Sequence, residues 1–232
     1  MSAQQAIDFV ADEIEGVGTL MRSLSGRYEA IFTNFRAACD VTLAQAGTLA
    51  EAARDVSAIV DAASASLRAH IPNQPAMACS SGCSACCHLH VQVPPGIATM
   101  MVAHIAAQFS SERRDALHQK LLDAAAAAGA AADPAQLRRR CALLGDDNRC
   151  SVYEVRPLTC RAFTSKSVAR CHDVVFGEVA AGSGVEQNAA HYRLHMEATF
   201  ALEQAARNRG LPDAQKGLAL ALLDEWPHDR GA

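Results

Sequence analysis

The chain has 232 residues, half of them hydrophobic yet only 5% aromatic, and 48 alanines stand against nine cysteines. A core forms at this length without covalent staples, so the cysteines need another explanation. The formal net charge of −4 sets general nucleic-acid binding aside. The first twenty residues lack a basic and apolar leader, and no run of 18 apolar residues occurs. Neither a secretory signal nor a membrane span is therefore expected. The expected compartment is the reducing cytoplasm, where clustered cysteines bind metal more often than they pair as disulfides.

Residues 1–72 read as long helices. Apolar residues recur at Ile7, Val10, Ile14, Val17, Met21, Leu24, Tyr28, Ile31 and Phe35, an alternating spacing of three and four. That is the seam of a coiled coil. The seam meets Thr42 and Gln45 and resumes weakly through Leu49, Ala52, Val56, Ile59 and Ala63. Ser25-Gly26 and Gly47 are two places to break the run into a helical hairpin or bundle. Residues 1–70 could also serve self-association or a protein partner. Cys39, alone on this helix, reads as a small core hydrophobe.

Prolines at 72 and 75 close the helical region. Leu89, Val91 and Val93 alternate with polar residues as a short extended stretch would. Helices are predicted at about 96–109, at about 111–128 with Ser110 or Ser111 as its cap, at about 186–208 and at about 213–225. An alanine-rich insert at about 124–132 reads as a helix end and linker, and Asp133-Pro134 as an N-cap with Pro at the first helical position. The fold class is thus mainly α, with an irregular cysteine-rich domain at 73–180 and C-terminal helices at 181–232 packing on it.

Eight of the nine cysteines fall between positions 79 and 171. Cys79-x3-Cys83-x2-Cys86-Cys87 comes first, then Cys141, Cys150, Cys160 and Cys171. A soft metal ion or an iron–sulfur cluster wants several thiolates in one small volume. Ser80, Ser81, Gly82, Ser84 and Ala85 let a tight loop form around it, and no packed hydrophobic loop looks like this. Adjacent side chains diverge on helix and strand alike, so Cys86 and Cys87 do not both suit one mononuclear ion. Eight thiols exceed what one zinc needs, which favours an iron–sulfur cluster slightly over zinc. His88, His90 and His172 could replace a thiolate but read better as surface or loop-packing residues. His191 and His195 share a helix face and read as surface or core. Residues 138–170 carry eight Lys or Arg and three acids, for a charge of +5, against −9 on the rest of the chain. Nearby cations stabilise thiolates.

Cys150-Ser151-Val152-Tyr153-Glu154-Val155-Arg156-Pro157-Leu158-Thr159-Cys160-Arg161-Ala162-Phe163, preceded by the group ending in Cys86-Cys87, resembles the YkgJ-type cysteine-cluster family. That family is described as a zinc- or iron-chelating domain. The resemblance covers about residues 79–172. It implies a metal site made by Cys79, Cys83, Cys86, Cys87, Cys141, Cys150, Cys160 and Cys171. The first spacing is x3 where some relatives have x2. The family is also similar to flagellin lysine methylases, whose substrate does not carry over because only residues around the metal match. In this segment Arg156 and Arg161 flank Cys160, where they can donate to sulfur or balance cluster charge, with Tyr153 beside them.

Three functional classes fit: a metal-binding protein, a cluster-dependent enzyme of methyl transfer or redox chemistry, or a partner-binding helical module with a structural zinc site. Cys79-x3-Cys83-x2-Cys86 has the spacing of radical S-adenosylmethionine enzymes. Ala85 replaces their usual aromatic, however, and no strand–helix repeat follows. No catalytic residue can be named.

Overall fold

A computed structural model of the protein describes residues 3–71, 76–177 and 184–227. Helix α1 spans Ala3–Gln45 and runs through Ser25-Gly26 without a break. A Cβ on Gly26 would meet nothing within 4 Å, so no close approach demands a turn there. The chain turns at Gly47 instead, beside the polar interruption of the seam. Helix α2, Leu49–His70, starts there with a reciprocal cap. Thr48 Oγ1 accepts from the Glu51 backbone N–H at 3.1 Å, and the Glu51 carboxylate accepts from the Thr48 N–H at 3.0 Å.

The cysteine region holds a 3₁₀ turn at Ala85–His88 and strand β1 at Gln92–Val93. Helix α3 is Ile97–Gln108 and α4 is Ser111–Ala130. The alanine run is helical almost to its end, because alanine is the best helix former and Gly129 meets no neighbour. Ser110 caps α4, and Asp133 caps a 3₁₀ turn at Pro134–Gln136. A further 3₁₀ turn at Tyr153–Val155 precedes α5, Leu158–Ala162, and α6, Val168–Phe176. Helix α7 is Ala189–Asn208. Strand β2, Lys216–Gly217, pairs antiparallel with β1 and leads into α8, Leu218–Asp224.

The C-terminal half of α1, all of α2, and α7 form a three-helix bundle. Its core includes Phe32, Phe35, Cys39, Leu43, Val56, Val60, Leu194, Ala198 and Leu202. Alanines at 52, 53, 198, 205 and 206 let the axes approach closely. Helix α7 runs parallel to α1. Arg193 pairs with Glu29, Arg36 with Glu197, and Arg209 donates to the Leu43 and Ala46 carbonyls. Helix α3 packs on α2, α5 on α7, and α8 bridges α3 and α4. The cysteine region therefore rests on the side of the bundle through α3 and α5. Among the described residues, no helix is long and apolar enough to cross a membrane.

Candidate metal centre

Two backbone devices gather the cysteines. A tight turn comes first: Cys83 N–H donates to the Ser80 carbonyl at 3.1 Å, with Gly82 at φ +87°. That left-handed conformation favours glycine. The 3₁₀ turn then carries Cys86 and Cys87. The second device joins distant segments. Cys141 N–H donates to the Cys87 carbonyl at 2.8 Å and Arg139 N–H to the His88 carbonyl at 2.9 Å, with Leu89 bridged to Arg138. A hairpin follows, in which Leu144 bridges Cys150 and Asn148 takes a positive φ at its tip. Pro157 ends the next turn, and Cys160 enters on α5. Ala78 N–H donates to the Ser165 carbonyl at 2.8 Å, which brings Cys79 to the loop after α5. Cys171 lies buried on α6, packed with Ala85 and Val175.

The thiols sense one another in two neighbouring groups. The Cys160 thiol is pushed well up by burial and then by Cys141, Cys150 and Cys86, while Arg156 opposes this. The Cys83 thiol is raised by burial and by Cys79, Cys86 and Cys171. Cys86 belongs to both groups. A hydrogen bond with Cys87 raises its thiol further, ahead of burial, and Arg156 again opposes. Backbone N–H groups aim at three of the sulfurs. Ala85 serves Cys83, Leu143 serves Cys141 and Val152 serves Cys150, each two residues downstream, and each favours the thiolate. This N–H arrangement, repeated at three cysteines, is the orientation that an outer layer of donors gives to a metal-bound thiolate.

The basic residues divide their work. Arg156 lies over the exposed Tyr153 ring, its guanidinium carbon 4.4 Å from the ring centroid. Its Nε is buried without a hydrogen-bond partner among the described residues. Its charge favours the thiolates of Cys86, Cys150 and Cys160. Arg161 directs its donors to protein oxygens. It donates from Nε to the Arg156 carbonyl at 2.9 Å, to the Glu154 carbonyl, and to Asp61 of α2 at 2.6 Å. It laces the loop between Cys150 and Cys160 and ties it to the bundle. Its charge still reaches Cys150.

The histidines pack. His88 sets its ring edge-on to Phe176 with Nδ1 at the Ser84 carbonyl, and His172 also lies on Phe176. His90 lies against Gly217, where a Cβ would come within 3.0 Å of its ring. His191 Nε2–H donates to the Arg161 carbonyl at 2.8 Å. His195, buried in the bundle, donates from Nδ1 to the His191 carbonyl at 2.8 Å, so the two support α5 from behind. Cys39 is fully buried in the bundle, its thiol pushed up to about 12 by desolvation, far from the other eight in the fold.

Among the described residues, no three His, Cys, Asp or Glu side chains stand close enough to hold a metal ion. The donor set nonetheless fits one in kind. Neighbouring thiols raise one another's pKa, three sulfurs meet backbone N–H groups, and a buried guanidinium nitrogen lacks a partner. A cation drawing the sulfurs together would relieve the repulsion between their thiolates. Asp61, His191 and the Ser165 carbonyl were not legible as parts of this region. Each acts through a backbone atom or across the fold, and none of the three leaves a spacing signal.

Residues 78–182 match the family model CxxCxxCC, described as "Putative zinc- or iron-chelating domain". This match, over a little under half of the chain, supports the resemblance to the cysteine-cluster family. No curated protein and no solved structure matches the chain. The chelating domain spans everything from the first thiol turn through α6. Helices α1 and α2 precede it and α7 and α8 follow it, so its loops are held by helices that lie outside it.

Proposed function

We propose that the chelating domain holds an iron–sulfur cluster, in preference to zinc, through Cys79, Cys83, Cys86, Cys87, Cys141, Cys150, Cys160 and Cys171. The observation that carries this reading is the double membership of Cys86. It is felt by Cys83 in one group and by Cys160 in the other. A thiol shared between two groups suits a centre with more than one metal atom better than a single tetrahedral ion. When bound, a cluster would supply one-electron chemistry or a rigid cross-link. The chain's own residues do the rest. Arg156 balances the anionic sulfurs, with Tyr153 stacked under its guanidinium. The N–H groups of Ala85, Leu143 and Val152 orient three sulfurs. Arg161 fixes the distance between Cys150 and Cys160.

Anaerobic purification with metal and acid-labile sulfide analysis tests the reading. Iron, sulfide and a broad absorption near about 400 nm are expected, all lost in Cys160→Ser and kept in Cys39→Ala. A colourless protein with stoichiometric zinc overturns the iron preference. A protein without metal under these conditions overturns metal binding itself.

A further inference from the structure

From residue 10, the N-terminal part of α1 projects beyond the bundle with an apolar stripe that no described residue covers. From residue 10 to residue 30 no side chain is buried. Val10, Ile14, Val17, Leu20, Met21 and Leu24 are each more than half exposed, and Tyr28 is 37% exposed. The stripe then turns inward and becomes the bundle core at Phe32, Phe35 and Cys39. The monomer's own packing thus accounts for the seam only from Phe32 onward.

We propose that this segment pairs with the same segment of a second copy, as an antiparallel two-stranded coiled coil over residues 10–28. Three observations select this occupant and orientation. The first is the seam itself. With Ile14, Met21 and Tyr28 at the first core position of the heptad and Val10, Val17 and Leu24 at the second, antiparallel pairing stacks Val10 on Tyr28, Ile14 on Leu24 and Val17 on Met21 of the other copy. Every layer is apolar, and the pattern closes on itself. The second is charge. Asp12, Glu13 and Glu15 lie at one end of the segment, Arg22 and Arg27 at the other. The antiparallel register sets Glu13 beside Arg27 of the second copy, twice by symmetry. Both residues are exposed and without an ion-pair partner among the described residues. A parallel pair would set the acidic ends against each other. The third is glycine. Gly18 lies one residue from the two-fold centre of this register, at the flank of the seam near its own copy. A Cβ there would meet only the tip of Arg22 at 3.6 Å, so the monomer gives no steric reason for a residue that weakens a helix by about 1 kcal/mol. Two helices crossing closely do give one.

The amount of surface is adequate. The seven apolar side chains leave roughly 700 Å² exposed, near the ~800 Å² that each partner of a stable interface contributes. Pairing ends at Tyr28 because α7 covers the helix from there, with Arg193 on Glu29.

Sedimentation velocity of the full chain in reducing buffer, across a range of concentrations, tests this. A concentration-dependent dimer is expected. Ile14→Glu with Met21→Glu should abolish it and leave circular dichroism of the remaining fold unchanged, since both sites are exposed. Glu13→Arg and Arg27→Glu should each weaken association about tenfold, and the double swap should restore it. A monomer at all concentrations overturns the proposal. So does a dimer indifferent to the seam variants, or one that the double swap fails to rescue. Metal content is read on the same samples and is expected to stay constant, so failure here is distinct from failure of the metal reading.

Discussion

Replacing Arg161 separates two roles that a cation beside thiols can play. Its side chain is 12% exposed and donates to the Glu154 and Arg156 carbonyls and to Asp61. Hydrogen bonds from a charged donor are worth roughly 1.5–3 kcal/mol each. The ion pair adds little, because Asp61 is 55% exposed and its partner's field is screened by water. Allowing for water reaching the two carbonyls after truncation, Arg161→Met should lower stability by about 3 kcal/mol. Asp61→Asn should lower it by under about 1 kcal/mol. Metal affinity, read by competition with a chromophoric chelator, should fall about 10- to 100-fold in Arg161→Met, the range typical of residues that support ligands from behind. Arg161→Lys decides the cause. A lysine keeps the positive charge but cannot reach both carbonyls and Asp61 together. If the loop between Cys150 and Cys160 must be laced, Lys fails nearly as badly as Met. Full metal affinity in Arg161→Lys, with the stability loss still present, would refute the lacing argument and leave charge as the agent.

Other expectations follow from single features. Cys39 should resist thiol reagents in the native state, because its thiol is buried and pushed up to about 12. Counting reactive thiols before and after denaturation checks this. His195 is buried with its pKa lowered to about 4, first by desolvation, from the ordinary 6.5. The unfolded chain binds the extra proton first, so stability should decline as pH falls from about 6.5 toward about 4, by about 3 kcal/mol in all. Urea melts at several pH values should show a flatter profile in His195→Asn, which keeps a donor for the His191 carbonyl. Gly96 sits at φ +85°, and a Cβ would land 2.2 Å from the Leu49 carbonyl oxygen, where α3 meets the start of α2. Gly96→Ala should therefore cost about 3 kcal/mol or more in urea unfolding, through strain and displaced backbone. A near-neutral result would mean that this junction yields easily.

Much of the framework was legible from local signals. Ser110 announces α4, and Gly47 beside Thr42 and Gln45 marks the turn, while the Thr48–Glu51 cap that starts α2 emerged only with the structure. The Ser25-Gly26 alternative failed for a physical reason. Glycine permits a break but does not require one, and no tertiary contact at that point rewards it. The alanine run reads as a helix end and linker, and the helix reaches Ala130, a little further than the low complexity suggests, because alanine is the best helix former. Partnering across the fold was not legible. That α7 lies along α1 rests on contacts between positions more than 160 apart, with Arg193–Glu29 and Arg36–Glu197 flanking the buried core. That eight cysteines cluster between positions 79 and 171 could be read from the sequence. Their division into neighbouring groups could not, because the Cys141–Cys87 backbone bond that joins the two segments has no side-chain signature.

That bond has a consequence for the stretch between its ends. Cys87 and Cys141 are separated by 53 residues, yet they sit side by side on adjoining backbones. Helices α3 and α4 are thus a closed excursion that leaves and returns at one fixed point. The link after α4, near Ala131 and Ala132, is irregular and carries no thiol. Lengthening it enlarges a loop whose ends are already pinned, at about 0.6 kcal/mol for each doubling. The position is thus a natural port for a reporter or an added module, open to insertion without changing how the two halves of the cysteine set meet.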